Sequence, residues 1–361
     1  MKLFKILGML SLTALMTISC HRTPEAVMIT ISNHNGMSAT FTNYGARLTS
    51  LVVPASDGTF KDVVWGYDTV EEYYASNDLY CGPIVGRYGN RIGKGKFVLD
   101  GKEYSLTIND GENHLHGGTG GLSTKIWTME KLSDREVKMS ILSPDGEEGY
   151  PGNVEISVFY TINYDNSLDI KYEAVTDAPT ILNLTSHAYF NLHGTSNYST
   201  NSHILRINAG HFIPTDESLI PTGEIASVEG TPLDFRIPTA IGERIDDTSF
   251  EAIAFAGGYD HNWVLDKERE FSLAAEVFEP STGIVMQVWT DQPGLQFYSG
   301  NFMDGKDIGH SGDIHGYRTG IALETQNYPD APNHPDFPSP VLKPGEIYKH
   351  LTRYSFSLNA F

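Results

Sequence analysis

The stretch VEISVFYTINYDNSLDIKYEA (154–174) decides the fold class. Val154, Ile156, Val158, Tyr160 and Ile162 alternate with Glu155, Ser157 and Thr161. Leu168, Ile170, Tyr172 and Ala174 repeat the alternation beyond a turn at Asp165-Asn166. In a strand successive side chains point to opposite faces, so this period of two marks a hairpin with one face buried. The same logic predicts hairpins over 97–106, around Asp100-Gly101, and over 271–290, around 279–283. A last strand is expected over 346–358. One helix is expected from Thr69, with Glu72 completing a capping box, to just before Asn77. Strands do not alternate with helices, which argues against a doubly wound nucleotide fold. The fold class predicted is all-β, a large single-domain antiparallel sandwich.

Composition narrows function by exclusion. The chain has 361 residues, 40% hydrophobic and 19% charged, as a globular domain requires. Its 45 acidic against 25 basic residues repel polyphosphate, so no nucleic-acid partner is expected. Two cysteines exclude a disulfide framework and a Cys-rich zinc module, and Cys81 reads as a buried free thiol. A weakly charged or neutral substrate remains.

The first twenty residues, MKLFKILGMLSLTALMTISC, place Lys2 and Lys5 ahead of an apolar run from Ile6 to Ile18. This is the pattern of an export signal, too short for a convincing membrane span. Ser19-Cys20 resembles the end of a bacterial lipoprotein signal, with Cys20 lipidated as the first mature residue. An ordinary cleaved signal is the alternative, since Thr17 stands where such signals favour leucine. The expected organisation is a signal over 1–20, a tether over 21–26 and one domain over 27–361, exported to the cell envelope. Membrane contact is expected only through the lipid.

Three contexts carry candidate chemistry. In Asn113-His114-Leu115-His116 the two histidines share a face if the segment is a strand, as a metal site would need. No third ligand follows at metal spacing, because 117–121 holds only glycine and threonine. In 186–191 His187 and Tyr189 share one face, polar and aromatic as in a sugar cleft. Glu324 sits at the end of the apolar run 320–323, under an aromatic and proline-rich loop where desolvation raises a carboxyl pKa. The glycine-rich run 86–95 lacks both phosphate-loop patterns; its Arg91 is a rigid fork suited to paired oxygens.

Nine elements in order extend these contexts: NYGARL (43–48), GRYGNRIGKG (86–95), NHLHGG (113–118), SPDGEEGYPG (143–152), SHAYFNL (186–192), TPLDFR (231–236), GYDHNWVL (258–265), PGLQFYSGN (293–301) and LETQNYPDAPN (323–333). Together they resemble the aldose 1-epimerase (galactose mutarotase) family across nearly the whole mature chain. The resemblance implies a β supersandwich with its site in a concave sheet face. It implies interconversion of the α and β anomers of free aldohexoses such as glucose and galactose, with no cofactor and no metal. By the same resemblance His187 is the general acid and Glu324 the general base. Arg91 and His116 hold the ring-oxygen side of the sugar, and Asn90, Tyr189, Asp260 and Gln296 bind hydroxyls. The chemistry then expects Glu324 ionised beside a protonated His187. The alternatives are another sugar-active enzyme of this fold and a catalytically silent glycan-binding lipoprotein.

Overall fold

The computed structural model describes residues 25–78 and 80–358. The signal segment, Cys20 and most of the tether lie outside them. A nine-stranded sheet is built around the hairpin Val154–Ile162 and Ser167–Thr176, whose antiparallel register runs from Val154↔Thr176 to Ile162↔Leu168. Its alternating residues are buried, as period two requires. The last strand, Tyr348–Ser357, inserts between Ser167–Thr176 and Ile284–Thr290 in the middle of this sheet. The hairpins Lys96–Leu99 with Lys102–Ser105, and Ser272–Glu279 with Ile284–Thr290, form as expected. Asp100 and Gly101 both have positive φ, which the tight turn between the first pair demands.

The helix Val70–Ala75 carries the expected capping box: Thr69 accepts from the Glu72 amide and Glu72 accepts from the Thr69 amide. A second short helix, Glu251–Ala256, was not anticipated; its signal is Gly257, left-handed at the C-cap. Among the described residues no helix is long and apolar enough to cross a membrane.

A six-stranded antiparallel sheet positions the site. Its neighbouring strands Asp260–Val264, Gly294–Tyr298 and Ile321–Gln326 are buried on both faces, but the faces differ chemically. Trp263, Leu295, Phe297, Ile321 and Leu323 point into the main core. Each such side chain contributes about 1.5–3 kcal/mol by burial. The alternate residues Asp260, Tyr298 and Glu324 line the opposite face. A one-residue register slip would put these polar groups into the core, so the apolar face fixes the polar one. Glu324 therefore sits within the strand Ile321–Gln326, paired in register with Gln296, rather than at a strand end.

Candidate active site

The polar face opens into a cavity of about 290 Å³. The strand Ile321–Gln326 brings Glu324 to its floor, and the short strands Thr185–Ser186 and Tyr189–Phe190 bring His187 and Tyr189 beside it. His187 and Tyr189 do share a face, with ring centroids 5.0 Å apart. His187 Nε2 lies 3.7 Å from Glu324 Oε1, too far for a hydrogen bond. His187 Nδ1 and Glu324 Oε2 are buried without a partner among the described residues. Gln296 Oε1 is in the same condition. Buried polar atoms are nearly always satisfied, and those of His187 and Glu324, which both line the cavity, are placed to meet the hydroxyls of a ligand.

His114 and His116 do not share a face, contrary to the strand expectation. His116 takes a positive φ, which breaks the alternation. His114 turns inward, donating from Nδ1 to the Thr107 carbonyl at 2.6 Å and accepting at Nε2 from the Tyr150 hydroxyl at 2.6 Å. His116 faces the cavity, its ring 5.1 Å from that of His187. The glycines of 113–118 allow this fold: a Cβ on Gly117 would lie 1.8 Å from the Gly86 carbonyl oxygen, where 86–95 packs against it.

His116, His187 and Glu324 place their ligating atoms within 4.8 Å of one another, so space supplies the third ligand that spacing lacked. The histidine tautomer does not suit a metal. His116 Nδ1 accepts the Asn90 amide at 3.1 Å, and burial, with help from His187 and Arg91, keeps the ring neutral. The single proton is then on Nε2, which faces the cavity as a donor rather than a ligand.

Arg91 spans two carboxylates, with Nε 2.7 Å from Asp110 Oδ2 and Nη1 3.6 Å from Asp260 Oδ2. Burial lowers its pKa, but Asp260 and Asp110 outweigh that and hold it above the ordinary value. Gln296 donates to Asp260 Oδ1 at 2.7 Å, which fixes both side chains. Asn90 Oδ1 accepts the Arg91 amide at 2.8 Å, so Asn90 shapes the loop as well as lining the cavity. Of the eight cavity residues predicted, Asn90, Arg91, His116, His187, Tyr189, Asp260 and Glu324 line it; Gln296 reaches it through Asp260. Asp78, Tyr80, Asp110 and Tyr298 were missed as contributors. Tyr80 rests its ring 4.7 Å from that of His116. No local pattern marks Asp110, whose partner lies 19 residues away.

Burial raises the Glu324 carboxyl well above its ordinary pKa; Asp260 adds to this and Arg91 opposes it. Burial also lowers His187, to about 4. Both directions reverse the order expected from the sequence: the proton of the pair rests on Glu324, because burial disfavours both charges.

A cavity with a carboxyl and an imidazole poised across a polar gap is equipped to move two protons on one small molecule. The aldose 1-epimerase family profile matches residues 27–355. The chain belongs to the aldose 1-epimerase family. The bovine galactose mutarotase is 45% identical over 316 residues, spanning 88% of this chain and 90% of its own. The aldose 1-epimerase of Escherichia coli K12 is 36% identical over 333 residues, 91% and 94% of the two chains. Among solved structures, an aldose epimerase homologue from Caenorhabditis elegans superposes with a TM-score of 0.86 at 33% identity, covering 92% of this chain and 99% of that one. The galactose 1-epimerase of Lactobacillus acidophilus gives 0.78 at 28%, covering 93% and 99%. The all-β architecture of this aldose 1-epimerase family member is that of its structural neighbours.

Proposed function

We infer that the protein is a mutarotase that interconverts the α and β anomers of free aldohexoses such as glucose and galactose, through His187 and Glu324. The observation that carries this reading is the His187–Glu324 pair, 3.7 Å apart, buried and with unsatisfied atoms, in a cavity that also holds Arg91 and His116. A sugar hemiacetal presents an O–H at C1 and a ring oxygen on the same carbon. Ring opening takes the O1 proton to the Glu324 carboxylate and delivers the His187 proton to O5. The C1–O5 bond breaks and C1=O1 forms. Rotation about C1–C2 presents the other aldehyde face, and closure returns both protons. The pair needs one proton in total, and hydroxyls entering the cavity replace the solvation that burial removed. The proton then moves from Glu324 to His187 without uptake from water. Arg91, a fixed cation, and His116, a fixed N–H donor, polarise the ring-oxygen side as negative charge develops there. No electron is transferred and no bond is hydrolysed, so the reaction balances on the chain's own groups.

Polarimetry tests this reading against a silent glycan-binding protein. Fresh α-glucose and α-galactose should each reach their equilibrium rotation faster with enzyme, and equally fast after dialysis against EDTA. A rate equal to that of buffer would leave only binding. Asp260→Asn should raise KM more than it lowers kcat, because Asp260 anchors Gln296 and Arg91 rather than moving protons. Initial rates across a glucose series separate the two effects.

The same inference extends to the envelope. Lys2, Lys5, the apolar run and Ser19-Cys20 support export and lipidation at Cys20. Mass spectrometry of the mature terminus should find a diacylglyceryl group on Cys20; an unmodified terminus downstream would refute lipidation.

A further inference from the structure

Asp78 is among the cleft residues that the proton-transfer machinery leaves unused. Asp78 donates its backbone amide to the Ser76 hydroxyl and accepts the Tyr80 amide on Oδ1 at 2.8 Å. Its Oδ2 is buried without a partner among the described residues, and it lines the same cavity as Glu324 and Asp260. Burial raises its carboxyl to about 6, which leaves it ionised at neutral pH. Asp304 and Asp307 complete an acidic rim. With Glu324 holding its proton, the five carboxylates Asp78, Asp110, Asp260, Asp304 and Asp307 outnumber three cations: Arg91, spanned by Asp110 and Asp260, Lys306, paired with Asp304, and the buried Arg47, whose charge acts on Asp78. The three imidazoles of the cavity, His116, His187 and His315, are all pushed down by burial and are neutral at pH 7. The cleft therefore carries a net negative field with an acceptor oxygen to spare.

We propose that the cleft selects hexoses by charge, admitting protonated 2-amino-2-deoxyhexoses as substrates alongside neutral hexoses and excluding uronates, with Asp78 as the determinant. This rests on the mutarotase reading. An amino sugar keeps the C1–O5 hemiacetal on which Glu324 and His187 act, so the chemistry is unchanged. Its ammonium replaces a hydroxyl and meets a field that concentrates cations at the mouth, where low-dielectric walls focus it. A uronate brings a carboxylate into a cavity with no free cation among the described residues, and like charges brought together without compensation oppose entry.

The test compares α-glucosamine, α-glucose and α-glucuronate at pH 7, each corrected for its own spontaneous rate. At low salt kcat/KM should fall in that order, by roughly tenfold or more from first to last, as for electrostatically steered entry. Added salt should lower the glucosamine value, raise that of glucuronate and leave glucose nearly unchanged. Asp78→Asn retains the acceptor for the Tyr80 amide and should shrink the glucosamine advantage while improving glucuronate. Equal values for the three sugars, or an order insensitive to salt, would overturn the proposal. A uniform change in all three on Asp78→Asn would remove Asp78 as the determinant. If glucose is not turned over at all, the mutarotase reading fails separately. Calorimetric affinities of the wild-type protein for the same three sugars then decide the charge selection by the same order.

Discussion

Glu324→Gln should lower kcat on glucose and on galactose by roughly 10²–10⁴-fold, the usual worth of a positioned acid–base group. KM should change far less, since the amide keeps the size and most of the hydrogen bonding of the carboxyl. The same substitution should stabilise the fold. Burial raises the Glu324 carboxyl in the native state, so the native protein holds this proton at pH values where the unfolded chain has lost it. Native stability then falls as pH rises from the ordinary carboxylate range through the raised native pKa. Glutamine never ionises and escapes that loss. Thermal unfolding should show the variant above wild type at pH 8, with the gap closing as pH falls toward about 4, the ordinary carboxylate range. Loss of activity with gain of stability separates a strained functional carboxyl from a structural one, whose removal would lower both.

His187→Asn should cost a similar factor in kcat, and the double variant His187→Asn/Glu324→Gln should be little worse than either alone. Each half of the reaction needs both groups: taking the O1 proton without protonating O5 strands charge, and the reverse does the same. Once one member is gone the other has nothing to complete, so the losses do not add. The residual rate over buffer comes from Arg91, His116 and the fit of the cleft. Independent multiplication of the two losses, with a double variant worse by their full product, would mean that the residues act on separate steps.

Much of this is visible in the chain before folding, and what is hidden is hidden for physical reasons. The alternation over 154–174 announces a buried strand face directly, because side-chain direction follows from sequence position. His187 and Tyr189 are likewise two positions apart and do meet at one wall of the cleft. His114 and His116 obey the same spacing yet part, because the positive φ at His116 is a property of the glycine-rich turn rather than of the pattern. Glu324 follows apolar residues and looks like a strand end; in fact the strand continues through Gln326, one face apolar and the other polar, a contrast that only the neighbouring strands 260–264 and 294–298 explain. The Asp110 clamp on Arg91 and the spare oxygen of Asp78 depend on contacts that close only in three dimensions. The protonation order of Glu324 and His187 is hidden for the same reason. The reaction written on paper asks for an ion pair, whereas the desolvation that reverses the resting state comes from distant residues packing over them.

The pH dependence of kcat/KM on glucose, net of the spontaneous rate, bears most directly on a His187–Glu324 pair that works with one shared proton. Below about 4 His187 takes up a second proton and the pair has no base. At high pH, above a Glu324 carboxyl that burial has raised, the last proton leaves and the pair has no acid. A bell is predicted, with its acid limb near 4 and its alkaline limb well above the ordinary carboxylate range, and Glu324→Gln should abolish the alkaline limb. A profile without limbs, or an alkaline limb unchanged in Glu324→Gln, would contradict the pairing and place the acid–base chemistry on other residues.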